Sequence, residues 1–113
     1  MGADHFAAYV GIKREVTDET EVEQLELDKH PLVLAATAAG LEHMWDKAWE
    51  SREGEGYYLL IGVKLGVFGA EDADHAAISS ADLLEAMEKA RAGLAAAGIR
   101  EEPMLHLQFG PDW

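Results

Sequence analysis

The sequence predicts a single α+β domain in which a three- or four-stranded sheet, mixed or antiparallel, carries two amphipathic helices on one face. The 113 residues, 49% of them hydrophobic, suffice for one hydrophobic core, and no linker divides the chain, so we expect one domain over residues 1–113. Short runs in which apolar side chains alternate indicate strands, and longer stretches with helical spacing indicate helices. The expected architecture is a two-layer sandwich with the element order β-β-α-β-α-β.

The longest apolar run, Tyr57–Gly69, is rich in β-branched and aromatic residues and predicts the central strand. Its odd-numbered positions are apolar without interruption from 57 to 67. Its even-numbered positions include Gly62, Lys64 and Gly66. Because alternate side chains lie on opposite sides of a sheet, the odd face should be core and the even face could carry the function.

The chain before the first helix predicts one strand and one ambiguous segment. Phe6–Val16 alternates in the manner of a strand and is followed by a polar turn. In residues 21–28, the alternation of Leu25 and Leu27 favours a short second strand that forms a hairpin with the first. The alternative is a helical turn, because the segment beginning at Thr20 matches a capping box. We favour the strand.

The first long helix is expected over Pro31–Glu50, since proline suits the first position of a helix. Glu42, Asp46 and Glu50 would form an acidic row along its exposed face. A charged loop follows at 51–56. The apolar stripe of this helix is expected to comprise Leu34, Ala38, Leu41, Trp45 and Ala48.

The second helix should begin at Ser79 or Ser80, which can cap it, and end near Ala97, with Gly98 as the stop signal. Met104–Phe109 alternates again and predicts the last strand. A ferredoxin-like arrangement would require Tyr57–Gly69 to be split into a hairpin. That stretch contains no strong turn dipeptide, so we do not expect this arrangement.

One face of the sheet is a candidate binding surface, because the segments Tyr9–Lys13 and Leu60–Lys64 share the pattern of a glycine flanked by aliphatic residues and followed by lysine. If the two strands are neighbours, their glycines and lysines share one face, where glycine permits close approach of a ligand or partner. The glycines could instead only accommodate a twist or a bulge. The predicted binding residues are Tyr9, Lys13, Tyr58, Lys64 and His106.

The net charge is −13, from 22 acidic and 9 basic residues, which argues against binding to nucleic acid or to an anionic membrane. An acidic surface of this kind attracts a basic partner protein, although a solvated helix face has the same composition. The predicted acidic partner surface comprises Glu42, Asp46, Glu50, Glu53 and Glu55.

Recognised catalytic and cofactor motifs are absent from the sequence. The chain has no cysteine, which excludes a thiolate metal site and a cysteine nucleophile. The acidic segment Glu71–His75 does not match a calcium-binding loop. His106, in the middle of the last strand, could act as a base, but a hydrogen-bonded strand residue is the simpler interpretation. We therefore assign no catalytic residue, metal ligand or cofactor.

These observations favour a nonenzymatic protein-binding module, of the inhibitor or immunity type, that acts through its acidic surface. One alternative is a small-molecule-binding protein or enzyme that uses the open sheet face. Another is a structural homo-oligomer, such as a homodimer. No secretory signal or membrane-spanning run is visible, so we expect a cytoplasmic location.

Overall fold

The structure is a computed structural model that describes residues 5–47, 56–69 and 75–110. Its α+β class agrees with the sequence prediction. Four strands form one sheet in the order β2-β3-β1-β4, and all neighbouring strands are antiparallel. The elements are β1 (His5–Val16), α1 (Glu19–Glu26), α2 (Pro31–Ala38), β2 (Glu42–Lys47), β3 (Tyr57–Gly69), α3 (Ser80–Ala96) and β4 (Met104–Gly110).

The connectivity differs from the predicted β-β-α-β-α-β order. If α1 and α2 are counted as one connection, the order is β-α-β-β-α-β with β1 and β3 at the centre, which is the ferredoxin-like pattern. The expectation against this arrangement was wrong because the additional strand is β2, from a segment predicted as helix, whereas β3 stays continuous. The bounds predicted for β1, β3, α3 and β4 agree with the structure to within one residue.

The predicted helix over Pro31–Glu50 was wrong, because α2 ends at Ala38. Gly40 follows with a φ of 79°, a conformation that glycine adopts at little cost. The amide of Leu41 donates to the carbonyl oxygen of Ala36 at 2.9 Å, and that of Gly40 donates to Thr37 at 3.0 Å. These two bonds form a Schellman motif, which ends α2 and directs the chain into β2.

The strand favoured for residues 21–28 was also wrong, and the helical alternative is the observed one. The helix begins earlier than the capping box indicated, with Asp18 as N-cap accepting bonds from the amides of Thr20 and Glu21 at 2.8 and 3.2 Å. The helix ends at Glu26, and Asp28, the residue after the C-cap Leu27, has a φ of 56°. The alternation of Leu25 and Leu27 suggested that both lie on one side of a strand. In the helix they do not share a side: Leu25 is buried in the core, whereas Leu27 is exposed.

The three helices cover one face of the sheet, and the core lies between the two layers. Leu34, predicted to be core, is 55% exposed, because Val33 and Ala36 are the buried residues of the shorter α2.

The alternation predicted along the whole of β3 is also corrected. Its odd-numbered positions face the helices only as far as Leu65, which is an extra residue opposite Ala8 and Tyr9 of β1. Beyond this bulge the alternation reverses.

The reversal places Phe68 on the helix side of the sheet. There Phe68 stacks on its register partner Phe6, with ring centroids 5.6 Å apart, and Phe6 also contacts Phe109 of β4 at 5.3 Å. Phe6 is 37% exposed, so this aromatic cluster lies at the margin of the core.

Candidate functional site

The predicted open-face residues are all brought to the sheet surface opposite the helices, which we call the tyrosine face. In the strand register Tyr9 lies between Lys64 on β3 and His106 on β4. Lys13 lies on the same side of the sheet, four residues after Tyr9 on β1, and Tyr58 lies there six residues before Lys64 on β3. The two similar segments Tyr9–Lys13 and Leu60–Lys64 are paired antiparallel, with Gly11 opposite Gly62 at their centre.

The middle of the tyrosine face is filled by its own side chains. Tyr9 is 2% exposed and Tyr58 is 1% exposed, and both pack in a cluster with Ala7 and Leu60. Met44 of β2 packs against this cluster. The charged members of the predicted site, Lys13 and Lys64, are exposed, and His106 is half-buried.

Burial raises the pKa of both tyrosines further above physiological pH. It raises the pKa of Tyr9 to about 12, with a smaller contribution from the carboxylate of Glu42. Burial also raises the pKa of Tyr58, and the nearby Asp46 carboxylate and Tyr9 raise it further. Both hydroxyls are therefore neutral at physiological pH and can donate a hydrogen bond.

The Tyr58 hydroxyl is buried without a hydrogen-bond partner among the described residues. The Nζ atom of Lys13 lies 5.5 Å from the centroid of the same ring, which is within cation–π range. A buried polar group that makes no hydrogen bond lowers stability, so the Tyr58 hydroxyl is a position where a ligand could gain a bond.

His106 has a structural contact at this face. Its Nε2 atom donates to the carbonyl oxygen of Gly11 at 3.1 Å and so ties β4 to the centre of β1. In the neutral ring this bond places the proton on Nε2 and leaves Nδ1 as the unprotonated nitrogen. The geometry matches the simpler of the two interpretations made from the sequence.

The predicted acidic row on a helix is contradicted, because Glu42 and Asp46 belong to strand β2. Both are exposed, and they flank Met44 on the side of the tyrosine face. The two predicted sites therefore meet along β2, at one edge of the sheet. The other predicted acidic residues, Glu50, Glu53 and Glu55, lie outside the described residues.

A groove that the sequence did not predict lies between α1 and the ends of β2 and β3, and we call it the α1 groove. Its volume is about 410 Å³. Its half-buried members Val22 and Tyr57 are apolar, and the rings of Tyr57 and Trp45 stack with centroids 5.9 Å apart. The exposed lining residues are Thr17, Glu19, Glu23, Glu26 and Lys47.

The sequence contained a signal for this groove. Glu19, Glu23 and Glu26 are spaced by four and three residues, which places them on one side of a helix. In a strand over 21–28 this spacing has no significance, because it places the three glutamates on no common side. Recognition of Asp18 as a helix cap would have predicted the acidic side of α1.

The segment Glu71–His75, considered as a cation site, lies mostly outside the described residues, and His75 is exposed. Within residues 5–47, 56–69 and 75–110, no three His, Asp or Glu side chains converge to hold a metal ion. No helix in the same ranges is long and apolar enough to cross a membrane.

Comparisons with protein families, with curated proteins and with solved structures find no match for this chain. Its ferredoxin-like connectivity is an architecture that many activities share. The connectivity therefore indicates no function by itself, and only the surfaces described above can indicate one.

Proposed function

We propose that the protein is a nonenzymatic protein-binding module, of the inhibitor or immunity type, that engages a basic partner through its acidic surface. The observation that carries this proposal is the α1 groove, with three exposed glutamates around two half-buried apolar side chains. We place the protein in the cytoplasm, since a chain without cysteine is compatible with a reducing compartment.

The α1 groove combines the two features that recognition of a basic segment requires. Glu19, Glu23 and Glu26 supply negative charge against a single lysine, Lys47, in the lining. Tyr57 supplies an aromatic ring for the apolar stem of a lysine or arginine, and its stacking on Trp45 fixes that ring before binding. Charge brings the partner to the surface quickly, whereas the apolar contact retains it.

The net charge of −13 extends this attraction beyond the groove. Exposed Glu42 and Asp46 lie on β2, the strand that also contributes Lys47 to the groove. A basic partner that seats in the α1 groove would therefore meet further carboxylates along the neighbouring edge of the sheet.

The test is titration with a fluorescent lysine-rich peptide at low and at physiological ionic strength. The double variant Glu23→Gln/Glu26→Gln removes two groove carboxylates, and we expect it to weaken binding about tenfold, which corresponds to about 1.4 kcal/mol. The matched control is Glu85→Gln/Glu88→Gln on α3, which changes the net charge by the same two units at exposed helical positions.

Equal weakening by both double variants would mean that the peptide responds only to total charge, which would overturn the assignment to the groove. Binding that does not weaken with salt would overturn the electrostatic basis of the proposal.

A second candidate function, small-molecule binding at the tyrosine face, is favoured by one observation, the buried Tyr58 hydroxyl without a described partner. If that hydroxyl is unsatisfied in the free protein, Tyr58→Phe should leave the free energy of unfolding unchanged or raise it by about 1 kcal/mol. A loss of more than about 1 kcal/mol on urea unfolding would show that the hydroxyl is already bonded, and would remove this candidate.

A further inference from the structure

Strand β4 forms one edge of the sheet, and β1 is its only partner among the described strands. An edge strand presents backbone amide and carbonyl groups that can pair with a further strand. Proteins commonly protect such an edge with charged residues, proline or a bulge. Met104–Gly110 contains no Asp, Glu, Lys, Arg or Pro, and its register with β1 is regular. In this strand those protections are missing.

The side chains of β4 are also unusually exposed for apolar residues. Leu105 and Leu107 lie on the helix side of the sheet, opposite Val10 and Ala8 of β1, yet they are 52% and 58% exposed. The reason is the position of α3, which packs on β1 and β3. The helix layer therefore leaves a strip of leucine along the β4 edge.

Helix α3 contributes to the same strip. Arg91 of α3 is hydrogen-bonded to Glu102, which lies just before β4, so this side of the helix faces the edge. Leu84 lies two turns earlier on that side and is 59% exposed. The apolar patch thus comprises three exposed leucines beside a strand edge that no other described strand pairs, a combination typical of an association surface.

The sequence of β4 is complementary to itself in the antiparallel direction. With Leu107, the midpoint of the seven-residue strand, placed opposite its own copy, Leu105 lies opposite Phe109, and His106 lies opposite Gln108. The helix side then pairs only apolar side chains, and the other side pairs His106 with Gln108 and, at the ends of the strand, Met104 with Gly110. This is the symmetry that an isologous two-fold contact requires.

The distribution of charge also favours association through the β4 edge. Two copies that each carry −13 repel one another, so a stable contact needs a surface without like charges. The opposite edge strand, β2, exposes Glu42, Asp46 and Lys47. Strand β4 has no formally charged acidic or basic side chain, and pairing through it keeps the acidic α1 groove at the distant edges of the assembly.

We propose that two copies of this chain associate through β4, paired antiparallel about Leu107, to form one continuous eight-stranded sheet. Both helix layers lie on the same side of this sheet, and the strips formed by Leu84, Leu105 and Leu107 cover one another across the two-fold axis.

The first experiment is light scattering after size exclusion, which measures the mass in solution. We expect the unmodified chain to be a dimer. The variant Leu107→Lys places two lysines directly opposite each other, and we expect it to raise the dissociation constant of the dimer at least a hundredfold. The matched control is Leu34→Lys on α2, at 55% exposure, which should remain dimeric. Circular dichroism verifies that each variant is folded.

The second experiment reads the register, since the chain has no cysteine of its own. Leu107→Cys should form an intermolecular disulfide on mild oxidation, because Cα atoms directly opposite in a sheet lie about 4.5–5.5 Å apart. Met104→Cys, on the same strand, should not, because its symmetric copy is six residues away, or about 20 Å.

A monomeric mass for the unmodified chain at about 0.1–1 mM would overturn the proposal. Equal disruption by Leu34→Lys, or equally fast cross-linking of Met104→Cys, would also overturn it. The outcome is independent of the α1 groove, because none of these substitutions touches the residues that line it.

Discussion

Gly11 and Gly62 allow the two central strands to approach each other closely, and no larger residue fits at either position. The two glycines are register partners on the central strands. A Cβ atom at Gly11 would lie 1.9 Å from the carbonyl oxygen of Ile61, and one at Gly62 would lie 2.1 Å from that of Val10. Both obstacles are backbone atoms, so a change of rotamer cannot relieve them. The similar segments around these glycines therefore have a packing cause.

Replacement of Gly11 by Ala should lower the free energy of unfolding by more than about 3 kcal/mol, because the central strands would have to separate. The control is Gly40→Ala. A Cβ there meets nothing within 4 Å, and only the φ of 79° opposes it, at a cost of about 1 kcal/mol. Urea unfolding of the two variants measures both effects. If Gly11→Ala cost no more than Gly40→Ala, the close backbone approach would not be real.

At the scale of elements, the structure depends on how its helices end. All three end in the same motif, with Asp28, Gly40 and Gly98 in the left-handed conformation at the first position beyond the cap. Gly98 is the signal in the sequence that predicts the end of α3 correctly. Gly40 is the same signal for α2, and a helix predicted through residues 42–47 disregards it.

The error over residues 31–50 has a physical explanation. Leu41 and Trp45 are spaced by four residues, which fits one side of a helix as well as one side of a strand. Periodicity alone cannot separate the two over so short a segment. Tertiary contacts decide between them, since Leu41 is buried beneath the helices and Trp45 stacks on Tyr57 of the adjacent strand. Whether this segment is a helix or a strand therefore becomes clear only when its partner strand is known.

Asp28 is the one described non-glycine residue with positive φ, and we expect Asp28→Gly to stabilise the protein. Glycine relieves the left-handed strain, and the substitution also removes a negative charge from the C-terminus of α1, where the helix dipole disfavours it. The expected gain is about 0.5–1 kcal/mol on urea unfolding. Asp28→Ala, which removes the charge but not the left-handed strain, is the control and should give at most the smaller, electrostatic part of the gain. A loss of stability with Asp28→Gly would contradict this account of the helix end.

At the scale of the whole molecule, charge opposes compactness. The Debye length at 10 mM salt is about 30 Å, which exceeds the radius of gyration of 14.4 Å, so the net charge of −13 is felt throughout the protein. At 0.15 M the Debye length falls to about 8 Å.

Addition of NaCl over this range should raise the melting temperature by a few degrees, because self-repulsion is screened. Thermal unfolding followed by circular dichroism at fixed protein concentration measures the change. The variant Glu85→Gln/Glu88→Gln, with two fewer negative charges, should show a smaller rise. A fall in the melting temperature with salt would mean that attractive pairs such as Arg14–Glu101 and Arg91–Glu102 outweigh the repulsion.

Long-range features of the molecule were the least accessible from the sequence. The α+β class, β1, β3, β4 and α3 follow from local patterns, because each is a long element with clear periodicity or caps. The shared face of Tyr9, Lys13, Tyr58, Lys64 and His106 follows from alternation once the strands are neighbours. The α1 groove does not, because it depends on α1 lying beside Tyr57, far away in the chain.

The central position of β1 has a consequence for the time course of folding. Its partners are β3 and β4, so His5 pairs with Gly69 on one side and with Gly110 on the other. Of the four described strands, β1 is synthesised first but can be paired on both sides only after β4 has formed, and the β2–β3 pairing is the one that is local in sequence. Long loops must close before most of the sheet can form, which places refolding among slow, topology-limited processes of milliseconds to seconds. Until β4 leaves the ribosome, one edge of β1 has no strand to pair with.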